Sequence, residues 1–286
     1  MTISGSAKLA AVMGWPIAHS LSPALHNYWI NELGLDAAYA PLAVAPENFR
    51  AAFDAAPLLG FRGLNVTIPF KAAAYAACAT RDPAAEAIGA VNTVVFDEGG
   101  AAHGSNTDGA GFMAALRAGA PGLRVEGGPA VVFGAGGAAQ AIVWALIEEG
   151  APEIRIVNRS ADKAEALAAR HPAANIRIDP VENSSAAIGG ARIIVNATSR
   201  GMGGAPDLDV DMSRAAPGAA VMDIVYRPLE TGFLRNARAC GLVAIDGLGM
   251  LIEQARPGFR AWFGAEPPAG DGARERLLRL LQAEAK

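Results

Sequence analysis

Residues 131–146, VVFGAGGAAQAIVWAL, run from an apolar stretch through three glycines into a second apolar stretch that carries no turn-forming residue. Few chains can fold that way except by ending a buried strand in a tight turn and opening a helix. The four apolar residues Ala130–Phe133 do not alternate with polar ones, and similar short runs recur at Ile154–Val157, Ile176–Ile178, Arg192–Asn196, Ala220–Val225 and Leu242–Ile245. Strands without alternation are buried on both faces, as a parallel sheet covered by helices requires. The repeat predicts an α/β, doubly wound parallel sheet.

In that setting Gly134, Ala135, Gly136, Gly137 and Ala138 acquire a specific meaning. Glycine at 134 and 136 and a small residue at 139 satisfy G-x-G-x-x-G/A between a strand and a helix. This form lets the backbone approach a pyrophosphate while the helix N-terminus faces its charge. A purely structural glycine turn is the alternative. The next strand ends in Val157-Asn158-Arg159-Ser160, with no carboxylate to hold a ribose 2′-hydroxyl. Arg159 suits a 2′-phosphate instead, and Asn158 and Ser160 can donate to it, so NADP is expected over NAD; a solvated loop arginine beside a helix start is the alternative.

The remaining composition mainly excludes. A chain of 286 residues with 52% hydrophobic and 18% charged residues has material for about two domains. Its 24 Lys+Arg against 28 Asp+Glu form no basic run, so a nucleic-acid partner is not expected. No run of ~18 apolar residues or cleavage-type N-terminal segment occurs, so a cytoplasmic protein is expected. Cys78 and Cys240 lie far apart in apolar settings and read as two buried, reduced thiols; no metal site is predicted.

Before Ser105 the chain also alternates strands (Leu9–Met13, Ala38–Val44, Gly63–Thr67, Val91–Phe96) with helices, several marked by an early proline. Three polar clusters fall at its strand ends. Ser20 and Ser22 precede Pro23, where they can meet an anion such as a carboxylate, although Ser22 can equally be an N-cap. NVTIPFK supplies Asn65, Thr67 and Lys71, with Pro69 expected to start the helix that carries Lys71. Asn92 and the run Asn106-Thr107-Asp108 complete the set, with Asp108 opening a helix, where it too can be simply a cap. Beside a hydride carrier, amides and hydroxyls suit a polyhydroxylated ring. Reduction of a carbonyl needs a proton donor at the acceptor oxygen, for which Lys71, partnered by Asp108, is the candidate.

These residues stand within a longer ordered pattern. It runs through Gly14, Pro16, His19-Ser20-x-Ser22-Pro23, His26-Asn27, Asn65-Val66-Thr67-x-Pro69-x-Lys71, Gly89-Ala90-x-Asn92-Thr93 and Asn106-Thr107-Asp108-Gly109. It continues through Gly134-Ala135-Gly136-Gly137, Asn158-Arg159, Asn196-Ala197-Thr198-Ser199-x-Gly201-Met202, Asp223-x-x-Tyr226-x-Pro228-x-x-Thr231 and Gly249-Met250-Leu251-x-x-Gln254-Ala255. Over nearly its whole length the chain resembles the shikimate dehydrogenases.

The resemblance implies a reversible, NADPH-dependent reduction of 3-dehydroshikimate to shikimate, in the route to chorismate and the aromatic amino acids. It implies a substrate carboxylate on Ser20 and Ser22, and ring hydroxyls on Asn65, Thr67, Asn92, Asp108 and Gln254. Tyr226 lies near the substrate, and Thr198, Ser199, Met202, Ile224 and Gly247 on the nicotinamide side. It implies a substrate domain over 1–106, an NADP domain over 107–247, and C-terminal helices over 248–286 that return to the first domain, in a monomer or homodimer. Departures are Ser160, where the family often has threonine, and Arg256-Pro257-Gly258, where Pro257 is expected to kink a helix. The rivals are an NAD-using quinate/shikimate dehydrogenase, which would carry an acidic residue near position 159, and a non-catalytic metabolite sensor.

Overall fold

The computed structural model describes residues 3–284. The chain divides into two compact units, one holding the residues up to Thr107 and those from Gln254 onward, the other Asp108–Glu253.

The first unit begins β1 (Lys8–Gly14), α1 (Ser22–Glu32), β2 (Ala37–Ala43), α2 (Phe49–Leu58), β3 (Phe61–Val66) and α3 (Lys71–Ala77). It continues with β4 (Thr80–Arg81), α4 (Pro83–Ile88), β5 (Thr93–Phe96) and β6 (Ala102–Ser105). Its six-stranded sheet has the order β2-β1-β3-β5-β6-β4. β1 pairs in parallel with β2 and β3, whereas β5 is antiparallel to β3 and β6, so this sheet is mixed. One core holds Phe49, Phe53, Leu64, Phe70 and Phe96, all buried.

The second unit comprises α5 (Asp108–Gly119), β7 (Ala130–Phe133), α6 (Gly137–Glu148), β8 (Ile154–Val157), α7 (Ala161–Ala168) and β9 (Ile176–Asp179). After them come α8 (Ser184–Ala187), β10 (Ile193–Asn196), β11 (Ala220–Asp223), α9 (Gly232–Ala239) and β12 (Val243–Ile245). The sheet is wholly parallel, in the order β12-β11-β10-β7-β8-β9. Val132, Ile156 and Val195 pack in a core with α5 and α6, while Val131, Phe133 and Ile194 pack in another with Phe233 and Leu234 of α9. Burial on both faces is the physical reason for strands without alternation. The order reverses between β7 and β10, and in such sheets ligands bind outside the carboxyl ends of the strands at that reversal.

Two helices end the chain, α10 (Leu248–Phe263) and α11 (Gly272–Glu284). Pro257 lies inside α10, which continues through it without a break. Phe259, Trp262 and Phe263 are all buried beyond the proline. Each contributes roughly 1.5–3 kcal/mol on burial, which offsets the ~3 kcal/mol cost of an interior proline.

Other expectations are corrected. Ser22 is not an N-cap: Leu21 occupies that position, and Ser22 N donates to Ser20 Oγ at 3.3 Å. Pro69 lies in a turn, and the helix begins at Lys71 after Phe70. Cys78 is buried at the end of α3, but Cys240 is exposed because it follows α9 on its solvent side. α4, absent from the sequence reading, is announced by Asp82-Pro83, since the Asp82 side chain accepts from Ala85 N and Gly89 ends the helix at φ 72°.

Candidate active site

In the first unit the strand ends are tied backbone to backbone. Thr67 N donates to Met13 O, Val66 N to Asn92 O at 2.8 Å, and Asn92 N to Ser105 O at 3.1 Å. Val91 N donates to Lys71 O at 3.0 Å, so the first residue of α3 is bonded to the residue next to Asn92. The carboxyl end of β3, the start of α3 and the segment after β6 therefore meet at one place.

A polar relay fills it. Asn65 and Asn92 are 6% and 3% exposed, and buried polar groups of this kind must find partners. Tyr39 OH donates to Asn65 Oδ1 at 2.6 Å, and Asn65 Nδ2 donates to Asn92 O and Thr93 Oγ1, both at 3.2 Å. Thr93 Oγ1 donates to Asn92 Oδ1, Asn92 Nδ2 to Thr107 Oγ1 at 3.0 Å, and Thr107 Oγ1 to the Gln254 carbonyl at 2.8 Å. The Asn92 side chain also faces Gln254 Oε1 at 3.5 Å. Of the expected substrate residues, Asn65, Asn92 and Gln254 are thus in one network. Thr67 follows Val66 and is half-buried, as are Ser20 and Lys71, and Ser22 is buried.

Asp108 is 6% exposed and opens α5 in the second unit, one peptide bond beyond Thr107. Tyr226, half-buried, also belongs to that unit. A surface groove of about 540 Å³ beside α1, lined by Asn27, Tyr28, Glu32, Arg276 and Arg279, contains none of these residues.

The second unit presents a cradle at its strand ends. Gly134 has φ 109°, and a Cβ there would lie 3.0 Å from Ala197 O, so only glycine brings the β7 turn against the segment after β10. Gly136 precedes α6 with no side-chain cap, and a Cβ on it would meet nothing within 4 Å, so the start of the helix is open on that side, beside Ala135, Gly137 and Ala138. That arrangement fits a pyrophosphate. At the end of β8 Arg159 is exposed, Asn158 Nδ2 donates to Ser160 O at 2.8 Å, and Ser160 precedes α7 without a side-chain cap. A cation, a hydroxyl and a helix start without a side-chain cap fit a 2′-phosphate, although the first turn of α7 also carries Asp162.

Beside this cradle a buried carboxylate shapes the loops that carry Thr198, Ser199, Met202, Ile224 and Tyr226. Asp223 Oδ1 accepts from Asn196 Nδ2 and Val225 N, both at 3.0 Å, and its Oδ2 accepts from Thr231 Oγ1 at 2.7 Å. Burial raises its pKa, against the lowering by these donors. Asn196 Oδ1 in turn accepts from Thr198 N and Thr198 Oγ1, and its Nδ2 donates to Arg200 O. Ser199 and Met202 are exposed and bonded to each other through the backbone, whereas Gly247 is buried against Ile224. Tyr39 and Thr93 received no role from the sequence, because a hydroxyl inside a strand looks like any other strand residue. Asn196, Asp223 and Thr231 stood in the ordered pattern without a role.

Comparison with known proteins finds matches in both units. Residues 12–94 match the model of the shikimate dehydrogenase substrate binding domain, residues 121–204 that of shikimate/quinate 5-dehydrogenase, and residues 247–271 the shikimate 5′-dehydrogenase C-terminal domain. The NADP(+) shikimate dehydrogenase of Acidiphilium cryptum is 52% identical over 284 residues, 99% of each chain. Among solved structures, the quinate dehydrogenase of Corynebacterium glutamicum in complex with NAD superposes with TM-score 0.87 at 32% identity, covering 96% of this chain and 99% of that one. The shikimate 5-dehydrogenase of Thermus thermophilus in complex with shikimate gives 0.83 at 39%, covering 96% and 99%. The chain belongs to the shikimate dehydrogenase family.

Proposed function

We propose that this chain catalyses the reversible, NADPH-dependent reduction of 3-dehydroshikimate to shikimate, in the route to chorismate and the aromatic amino acids, with Lys71 and Asp108 as its acid–base pair. The observation that carries this reading is the buried amide and hydroxyl relay through Asn65, Asn92, Thr107 and Gln254, tied to the start of the helix that begins with Lys71. Such a set suits a small polyhydroxylated ring, and full-length similarity to an NADP(+) shikimate dehydrogenase supports that ring's identity.

Ser20 and Ser22 hold the substrate carboxylate, and Asn65, Thr67, Asn92 and Gln254 the ring hydroxyls, with Tyr226 beside them. Gly134, Ala135, Gly136, Gly137 and Ala138 hold the pyrophosphate of the cofactor, and Asn158, Arg159 and Ser160 its 2′-phosphate. Thr198, Ser199, Met202, Ile224 and Gly247 flank the nicotinamide, which supplies the hydride when bound. In the reductive direction Lys71 Nζ donates a proton to the oxygen as the carbonyl carbon is reduced. Asp108, its partner in the pair, orients the amine toward that oxygen. In the oxidative direction the same amine accepts the hydroxyl proton.

The reading extends to a cytoplasmic monomer or homodimer that binds no nucleic acid. No helix among the described residues is long and apolar enough to cross a membrane. Similarity to a quinate dehydrogenase bound to NAD motivates a second reading, broader substrate or NAD use. Arg159 at the end of β8 favours the first. Lys71→Ala is expected to lower kcat by roughly two to four orders of magnitude with a smaller change in KM for shikimate. A variant that keeps the parent kcat would refute the acid–base role.

A further inference from the structure

The pair His26-Asn27 on α1 has no part in the chemistry above, yet both side chains converge on Tyr39. Asn27 grips the Tyr39 backbone from both sides: Asn27 Oδ1 accepts from Tyr39 N at 3.1 Å, and Asn27 Nδ2 donates to Tyr39 O at 2.8 Å. The same amide donates to Pro23 O at 2.8 Å, anchoring the clamp in the first turn of α1. His26 stacks flat on the phenol, with ring centroids 4.0 Å apart and planes 2° from parallel. Trp29, Phe259 and Trp262 also pack around the imidazole, with centroids at 5.5, 5.8 and 5.7 Å. His26 is 0% exposed, and neither ring nitrogen has a hydrogen-bond partner. A histidine used in this way contributes a ring face and no polar contact.

The clamped phenol has one polar outlet, its hydroxyl, and this meets Asn65 Oδ1 at 2.6 Å. Backbone groups fix the direction of every bond around it. Asn92 O can only accept, so the Asn65 atom facing it is Nδ2; Thr107 N can only donate, at 2.9 Å, so the Asn92 atom facing it is Oδ1. Asn65 must therefore turn Oδ1 toward Tyr39, and both hydrogens of its Nδ2 are engaged by Asn92 O and Thr93 Oγ1. What Asn65 retains is acceptor capacity on Oδ1.

We propose that Tyr39, held by His26 and Asn27, is a positioning residue that fixes the Asn65 amide as a hydrogen-bond acceptor, so that Asn65 recognises a ring hydroxyl and not a carbonyl. This rests on the reading of Asn65 as a substrate residue. A group recognised this way must carry a proton in both redox states, so it is a hydroxyl other than the one being oxidised. Burial also raises the Tyr39 pKa well above its usual value, and the phenol remains a donor throughout the working range.

The test is a double-mutant cycle on the intact enzyme with shikimate. Tyr39→Phe keeps the stacked ring and removes the hydroxyl. It is expected to raise KM for shikimate roughly 3- to 10-fold, the scale of one hydrogen bond, with kcat and KM for NADP within about twofold. Thr93→Val, which removes the other hydroxyl bonded to the amide, is expected to act in the same direction. In an Asn65→Ala background neither change is expected to add anything. A merely structural Tyr39 would instead lower the active fraction, and with it kcat, at unchanged KM. Unchanged KM in both hydroxyl variants, or effects that add fully to Asn65→Ala, would overturn the inference. If Asn65→Ala itself left KM unchanged, the substrate reading of Asn65 would fall first.

Discussion

A stability measurement across pH tests the packing around His26. Burial alone lowers its pKa from the usual 6.5 to about 3. The folded protein thus keeps the imidazole neutral, whereas the unfolded chain protonates it below pH 6.5. A group with a lowered basic pKa contributes stability that is complete above pH 6.5 and is lost as pH falls from 6.5 toward 3. The full shift corresponds to about 5 kcal/mol near pH 3, and at pH 5, where the unfolded imidazole is about 97% protonated, to about 2 kcal/mol. His26→Phe retains an aromatic face for Tyr39 and cannot titrate. Its packing cost, roughly 1–3 kcal/mol, is independent of pH and cancels in the comparison. Urea unfolding followed by tryptophan fluorescence, with Trp29 and Trp262 both against His26, gives ΔG for each protein at pH 8 and pH 5. The advantage of the parent over His26→Phe is expected to shrink by about 2 kcal/mol between those values. Parallel stability curves would show that His26 is solvated or paired, and the clamp as described would fail.

Arg159→Gln removes the guanidinium at the end of β8. It is expected to raise KM for NADP roughly 10- to 100-fold, the scale of a lost charge-assisted hydrogen bond, while leaving the parameters for NAD nearly unchanged. Asp223→Leu leaves Asn196, Val225 N and Thr231 without their acceptor, and is expected to cost roughly 3 kcal/mol in thermal unfolding and to weaken cofactor binding in titration calorimetry. In Gly247→Ala the new methyl group would run into the Ile224 carbonyl, a backbone atom. A loss of roughly 1–3 kcal/mol is expected in the same unfolding assay, together with a raised KM for NADP.

Legibility in the sequence followed the physics of each region. The second unit could be read almost strand by strand, because a parallel sheet buried on both faces writes itself as short unbroken apolar runs, and only glycine satisfies the φ of Gly134. The first unit was less legible. Its sheet turns antiparallel at β5, and the two-residue β4 and six-residue α4 are too short for periodicity to register. Among candidate site residues, the sequence names Asn65 and Asn92, and the family resemblance adds Gln254, but nothing in either announces the relay that joins them. A hydrogen bond between Tyr39 and Asn65 spans 26 residues, and no local spacing encodes it. Ser-Pro usually marks a helix cap, whereas here the Ser20 hydroxyl accepts from Ser22 N. The exposure of Cys240 is not legible either, because an apolar sequence neighbourhood does not say which side of α9 its end faces.

The central claim is a reaction, and the most direct test is an initial-rate assay of the purified enzyme that follows reduced-cofactor formation with shikimate and with quinate, each paired with NADP and with NAD. Shikimate with NADP is expected to give a kcat/KM at least roughly tenfold above either pairing with NAD, the scale of one lost charge-assisted contact, and above that of quinate with NADP. Equal or faster turnover of quinate, or of NAD, would contradict it.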